Sequence, residues 1–157
     1  MSSLSSCHAP GVLLVLAQPT SERYLQDFHD WYDTEHGPAR LRLGEKYFMN
    51  GYRYKIANAE SIWLAIYDMQ TLSAGADPTY TYLREHRSLR EQEVFRHKLN
   101  VLSRQFLKLE SETGPGPNKP AQSMCTITFD VPDNSAKHVG GQYVEVRIAN
   151  LHYSSCS

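Results

Sequence analysis

Asp27-Phe28-His29-Asp30-Trp31-Tyr32-Asp33-Thr34-Glu35-His36-Gly37-Pro38-Ala39-Arg40 is the stretch from which the fold is read. It gathers three aromatics, two histidines and four carboxylates. At about 3.6 residues per turn, Tyr24, Phe28, Trp31, Tyr32 and Glu35 share one side of a helix. His36 follows one turn after Tyr32. Gly37 suits the left-handed residue that closes a helix, and Pro38 cannot continue one, so the helix is expected to run from about Glu22 to His36. A helix that ends where titratable groups cluster is the geometry of a site at the lip of a pocket. It is equally that of an ordinary capped helix.

Working outward, Gly11 to Ala17 has no polar alternation and reads as a central strand buried on both faces. Ser21 is the expected N-cap of the first helix, with Glu22 favourable in its first turn. Downstream, Gly51 to Ile56 alternates and sets Tyr52, Tyr54 and Ile56 on one face. Asn58 to Ser61 is a hairpin connection to a second buried strand, Ile62 to Asp68. Asp77-Pro78 reads as an N-cap followed by proline at the first helical position. Ser88-Leu89-Arg90-Glu91 has the capping-box pattern and opens a helix to about Asn100. Val101 to Glu110 is the fourth strand.

Strand, helix, strand, strand, helix, strand predicts an α+β, ferredoxin-like βαββαβ sandwich with its helices on one face. The other sheet face is then bare and apolar, and two such faces brought together form a dimeric α/β-barrel with a cavity between them. Residues 1–10 are expected to be a flexible arm and residues 111–123, rich in Pro and Gly, a linker. Residues 124–157 read as the opening of a second repeat, truncated or divergent.

With 157 residues, 41% of them apolar, and a formal net charge of −1, the chain fits one domain with some extra sequence. Basic residues are scattered among acids, which argues against nucleic acid and against a membrane surface. Three cysteines without a CxxC motif suggest a reduced, cytoplasmic protein. The N-terminus has no basic leader, and the apolar run from Val12 to Ala17 is too short to span a bilayer. Ten tyrosines fit either a cavity for a flat, partly polar small molecule or plain amphipathic core edges. No phosphate loop, GxSxG or dinucleotide fingerprint is present, so no cofactor is expected.

From Phe28 to Arg40 the sequence resembles the EthD-like proteins of the dimeric α/β-barrel superfamily, fungal members especially. Trp31-Tyr32, Glu35-His36 and Pro38 match the W-Y-x-x-E-H-x-P pattern, followed by the extended Gly51-Tyr52-Arg53-Tyr54. Tyr82 to Glu91 also fits the fungal type, and the resemblance covers about residues 10 to 110. It implies a homodimeric barrel that takes a small hydrophobic or aromatic metabolite, polyketide-like because many members are encoded beside polyketide or terpenoid pathway genes. The superfamily's chemistry includes cofactor-free oxygenation, dehydration, decarboxylation and isomerisation, so the fold does not fix the reaction.

His36 is the first candidate for proton transfer, because an imidazole near neutral pKa can take a proton at one atom and return it at another. Capping the helix end is its alternative role. Asp33 and Glu35 are candidates to orient His36 or to bond Arg40, and Glu35 would need a partner such as Arg53 if buried. Tyr52, Tyr54 and Tyr67 are candidates to bond a ligand's oxygens, with Tyr32, Arg53 and Trp31 beside them as further binding residues. His29 is expected at the surface. The expected function is cofactor-independent acid/base chemistry: dehydration, decarboxylation or isomerisation. The alternatives are an oxygenase, cofactor-free or haem-supported through His36 or His86, and a non-catalytic ligand-binding accessory protein.

Overall fold

The computed structural model describes residues 8–111, together with the backbone of residues 125–129 and 143–147. The unbroken apolar run becomes β1 (Gly11–Pro19), which lies between two neighbours and is therefore hydrogen-bonded along both edges; Leu13, Leu14 and Ala17 are buried, and Val12, Val15 and Leu16 half-buried. β3 (Trp63–Met69) pairs antiparallel along one edge of it and β4 (Leu99–Lys108) along the other. β2 (Tyr52–Lys55) completes the sheet beyond β3, in the order β2-β3-β1-β4. With helices after β1 and after β3, this is the ferredoxin-like α+β sandwich that the element order predicts.

Register sorts the side chains. Leu13 pairs with Tyr67 and Phe106, Val15 with Ala65 and Arg104, and these alternate positions form the helix side. Leu14 and Leu16, paired with Ile66 and Leu64, fall on the second face. So do Tyr52 and Tyr54, which oppose the same Ile66 and Leu64. A bulge in β4 shifts the pairing between Leu16 and Ala17, so that Ala17 meets Val101 instead of Leu102.

After a 3₁₀ turn (Glu22–Tyr24), the first helix comprises α1 (Leu25–Trp31), a π-helical turn (Tyr32–His36) and α2 (Gly37–Leu41). The expected stop at Gly37 is not there. Gly37 has φ −62°, in the right-handed region, and its N–H bonds the Tyr32 carbonyl five residues back. The widened π turn is the physical reason: it opens the hydrogen-bond ladder just before Pro38, so the proline's missing N–H falls at the start of a fresh helical turn. Gly37 is glycine-like for closeness instead, since a Cβ there would sit 3.1 Å from that same carbonyl oxygen. Ser21 makes no side-chain capping bond.

The other two capping expectations hold. Asp77 caps α3 (Pro78–Glu85) through the Thr79 N–H, and Ser88 caps α4 (Leu89–Glu93) through the Glu91 N–H. α4 runs into a second π turn (Val94–Lys98), which ends the helix two residues before Asn100 and lets β4 begin at Leu99. Two apolar clusters tie helices to sheet. Leu13, Tyr67, Met69, Phe48 and Tyr80 belong to one; Ala17, Phe28, Trp31, Val94 and Leu99 form the other. Each fully buried large side chain contributes about 2 kcal/mol by leaving water.

By its internal contacts the chain divides into two units, Met1–Glu112 and Thr113–Ser157. In the second, β5 (Cys125–Phe129) pairs antiparallel with β6 (Tyr143–Arg147). The expected arm and linker lie largely outside the described residues, as does most of the expected second repeat. Among the described residues no helix is long and apolar enough to cross a membrane.

Candidate active site

A cavity of about 260 Å³ lies between the helix side of the sheet and the helices of the first unit. Val15, Ala65 and Tyr67 line it from the sheet, and Trp31, Tyr32, His36 and Arg40 from the first helix. Phe95 reaches it from the second π turn. Both π turns therefore contribute to one cavity, a position where such irregular turns recur because they re-aim side chains.

The π turn carries His36 into the interior, where it is 8% exposed. Its Nδ1 lies 2.8 Å from Oε1 of Glu91 in α4. The Arg40 guanidinium stands 3.7 Å from the same carboxylate oxygen and donates to the His36 carbonyl at 2.9 Å. Loss of surrounding water pushes the His36 pKa down to about 4, helped by the positive charges of Arg40 and Arg87 and opposed by Glu91. Burial alone would raise the Glu91 pKa; its bond to His36 and the nearby Arg40 and Arg87 outweigh that and hold it below its ordinary value. The resting pair is a neutral imidazole donating Nδ1–H to a carboxylate. Nε2 then carries the lone pair, and it bonds no other protein group among the described residues.

Trp31 and Tyr32 flank the imidazole, with ring centroids 4.3 and 5.1 Å away. The Tyr32 hydroxyl bonds that of Tyr67, which reaches across from β3. Burial raises both phenol pKa values, so both stay protonated. One proton is used between them and the other is free for a third oxygen.

His36, Tyr32, Tyr67, Arg53 and Trp31 therefore meet at one cavity. The remaining sequence candidates do not. Asp33 is exposed and pairs with Arg53 at 3.0 Å; Glu35 accepts a hydrogen bond from Ser88 Oγ. Neither bonds His36. Tyr52 and Tyr54 lie on the second face of the sheet, away from the imidazole. The cavity holding His36 is thus lined by residues of one chain, because the aromatic side of the helix faces its own sheet. His29 is half-buried rather than at the surface, set edge-on to Trp63 at 4.5 Å. His86, the other histidine considered for haem, is exposed and stacks on Tyr82.

Sequence reasoning missed Glu91 as the imidazole's partner. Its capping-box position assigned that carboxylate to the helix end, but only half of the box forms: Ser88 Oγ accepts from the Glu91 N–H at 3.0 Å, while the carboxylate turns to His36. No local signal links positions this far apart. Among the described residues no group of three or more His, Cys, Asp or Glu side chains is placed to hold a metal ion.

No family model matches the chain, and no curated protein matches it. Among solved structures it is similar to a dimeric ferredoxin-like protein from an uncultured marine organism. The match has 13% identity and a TM-score of 0.49, covering 73% of this chain and 100% of that one.

Proposed function

We propose that the chain is an EthD-like enzyme of secondary metabolism that performs cofactor-independent proton transfer on a small aromatic, polyketide-like metabolite, as a lyase or isomerase. The observation that carries this reading is the buried, neutral His36, held at Nδ1 by Glu91 and open at Nε2, in a residue that lines the cavity. A carboxylate behind an imidazole fixes its tautomer and steadies the cation formed when Nε2 takes a proton.

In the proposed cycle Nε2 removes a proton from a carbon next to a carbonyl. The electron pair moves onto the carbonyl oxygen, which the free hydroxyl proton of the Tyr32–Tyr67 pair stabilises. The imidazolium then returns its proton to a departing hydroxyl, giving water and an alkene, or to another carbon, giving an isomer. For a β-keto acid, Nε2 takes the carboxyl proton, loss of carbon dioxide leaves an enolate, and the imidazolium returns that proton to its carbon. Tyr67 and Tyr32 take the polarising role expected of Tyr52 and Tyr54.

Turnover of aromatic β-hydroxy ketones and β-keto acids, followed by mass spectrometry in D₂O, tests the proposal. Wild type is expected to incorporate deuterium into the product of the β-keto acid and to release water from the β-hydroxy ketone, in neither case consuming oxygen, and folded His36→Asn to lose turnover. Full turnover by His36→Asn ends the acid/base role, and strict oxygen dependence favours the oxygenase. Pairing of two chains through the second sheet face belongs to the same proposal, supported by the row of Leu14, Leu16, Leu64 and Ile66 flanked by Tyr52 and Tyr54.

A further inference from the structure

The cavity's charge does not balance. Five arginines line it: Arg40, Arg53, Arg84, Arg87 and Arg104; no carboxylate and no lysine does. Among the described residues Arg40 is paired with Glu91 and Arg53 with Asp33, while Arg84, Arg87 and Arg104 have no carboxylate within ion-pair distance. Taking two negative charges from five positive ones leaves an excess of three around a largely aromatic space. Arg104 donates to the Tyr80 hydroxyl at 3.0 Å, a neutral partner that leaves its charge uncompensated.

A separate observation points the same way. Four buried side-chain nitrogens lack a hydrogen-bond partner among the described residues: Nε1 of Trp31, Nε1 of Trp63, Nη1 of Arg53 and Nε of Arg87. All four belong to residues lining this one cavity, and all four are donors. Buried donors left unmatched cost about 1–3 kcal/mol each, so their concentration in one place calls for an acceptor. Both guanidinium groups also lie over aromatic rings: Arg53 4.4 Å from the Tyr32 ring centroid and Arg87 4.3 Å from that of Phe95. A stacked guanidinium keeps its N–H edge open to a planar oxyanion, which matches it in shape and charge.

Resting on the reading of this cavity as the reaction site, we propose that its substrates are aromatic carboxylates, with the carboxylate bound by Arg53 and Arg87 and the ring set against Trp31, Trp63 and Phe95. A neutral ketone of the same shape would leave the donors unmatched and the charge uncompensated. An anion would also oppose the positive field at His36 and so make Nε2 a stronger base once the substrate is seated.

Calorimetric titration of the full chain with 3-hydroxy-2-naphthoate and with its neutral amide, 3-hydroxy-2-naphthamide, tests this. The acid is expected to bind at least about tenfold more tightly than the amide, by an advantage that shrinks with added salt. Arg53→Gln and Arg87→Gln are each expected to lower acid affinity by about tenfold and to leave the amide unchanged. The wild-type comparison needs no variant to fold. Equal binding of acid and amide, binding of neither, or an unaltered preference in both folded variants overturns the proposal. His36→Asn separates the two readings: it should keep the preference for the acid while losing turnover. If it keeps both, proton transfer by His36 fails while anion recognition stands.

Discussion

Glu91 holds Nδ1 of His36 at 2.8 Å across 55 positions of sequence, joining α4 to the π turn of the first helix. Arg40 closes the group from the helical turn after His36. An interior triad of this kind is stable only while every charge is answered. Glu91→Ala, which leaves Arg40 unanswered, is expected to cost about 3–5 kcal/mol in denaturant unfolding, and Glu91→Gln clearly less. Both should lower turnover, because the imidazolium loses its stabilising carboxylate. Equal stability of Glu91→Ala and wild type would show that the triad contributes nothing to the fold.

Stability should fall in mild acid. Burial, the largest influence on His36, depresses its pKa from 6.5 to about 4, so between these values the unfolded chain binds a proton that the folded chain refuses. The folded state is unaffected above about pH 6.5 and loses roughly 3 kcal/mol by about pH 4. Glu91, also depressed, adds to the loss below its ordinary range near 4.5. Unfolding free energies measured at several pH values should show a steep fall in wild type and a shallower one in His36→Gln; parallel slopes would contradict the depressed value.

The same depression sets the pH profile of catalysis. A base that stays neutral down to about pH 4 should keep kcat/KM flat through the range where an ordinary histidine titrates, near 6.5. An acid limb at about 6.5 in the profile would assign the base to another group.

Tyr32 and Tyr67 share one hydrogen bond between two buried phenols. Either change to Phe is expected to cost about 1 kcal/mol, and the double change less than the two added together, since the second removal has no partner left to strand. A double-mutant cycle in denaturant measures this, and strict additivity would mean that the bond carries no coupling.

Light scattering of the whole chain checks the pairing of two copies. A dimer is expected for wild type and a monomer for Leu16→Glu together with Tyr54→Glu, both on the second sheet face. A monomeric wild type ends that part of the proposal.

The strands were readable because apolar runs and alternation state their period directly: Gly11 to Ala17 and Ile62 to Asp68 needed nothing beyond their own composition. Asp77-Pro78 and Ser88 were readable as caps for the same local reason. Misreading began at Gly37-Pro38, where two helix-ending residues serve a continuing helix, because a π turn has no sequence signature of its own. The site was half legible. His36, Tyr32 and Trp31 stand close in sequence and stay together in space. Tyr67, Arg53 and Glu91 join them only through the register of β3, the pairing of β2 and the seating of α4, none of which a single chain spells out. Tyr52 and Tyr54 do share one face, as the alternation in β2 states; it is His36 that the fold turns to the opposite side of the sheet.

The π turn between Trp31 and Gly37 holds one residue more than an ordinary helical turn, because the Gly37 N–H reaches the carbonyl five residues back. Deleting Thr34, which lies at the surface, would let an ordinary turn close in its place with the segments on either side still nearly in phase. A deletion inside α1 has no such slack and would swing everything before it by about 100°. The wide turn is thus the one place along this helix where a letter can be lost without turning Trp31 away from His36.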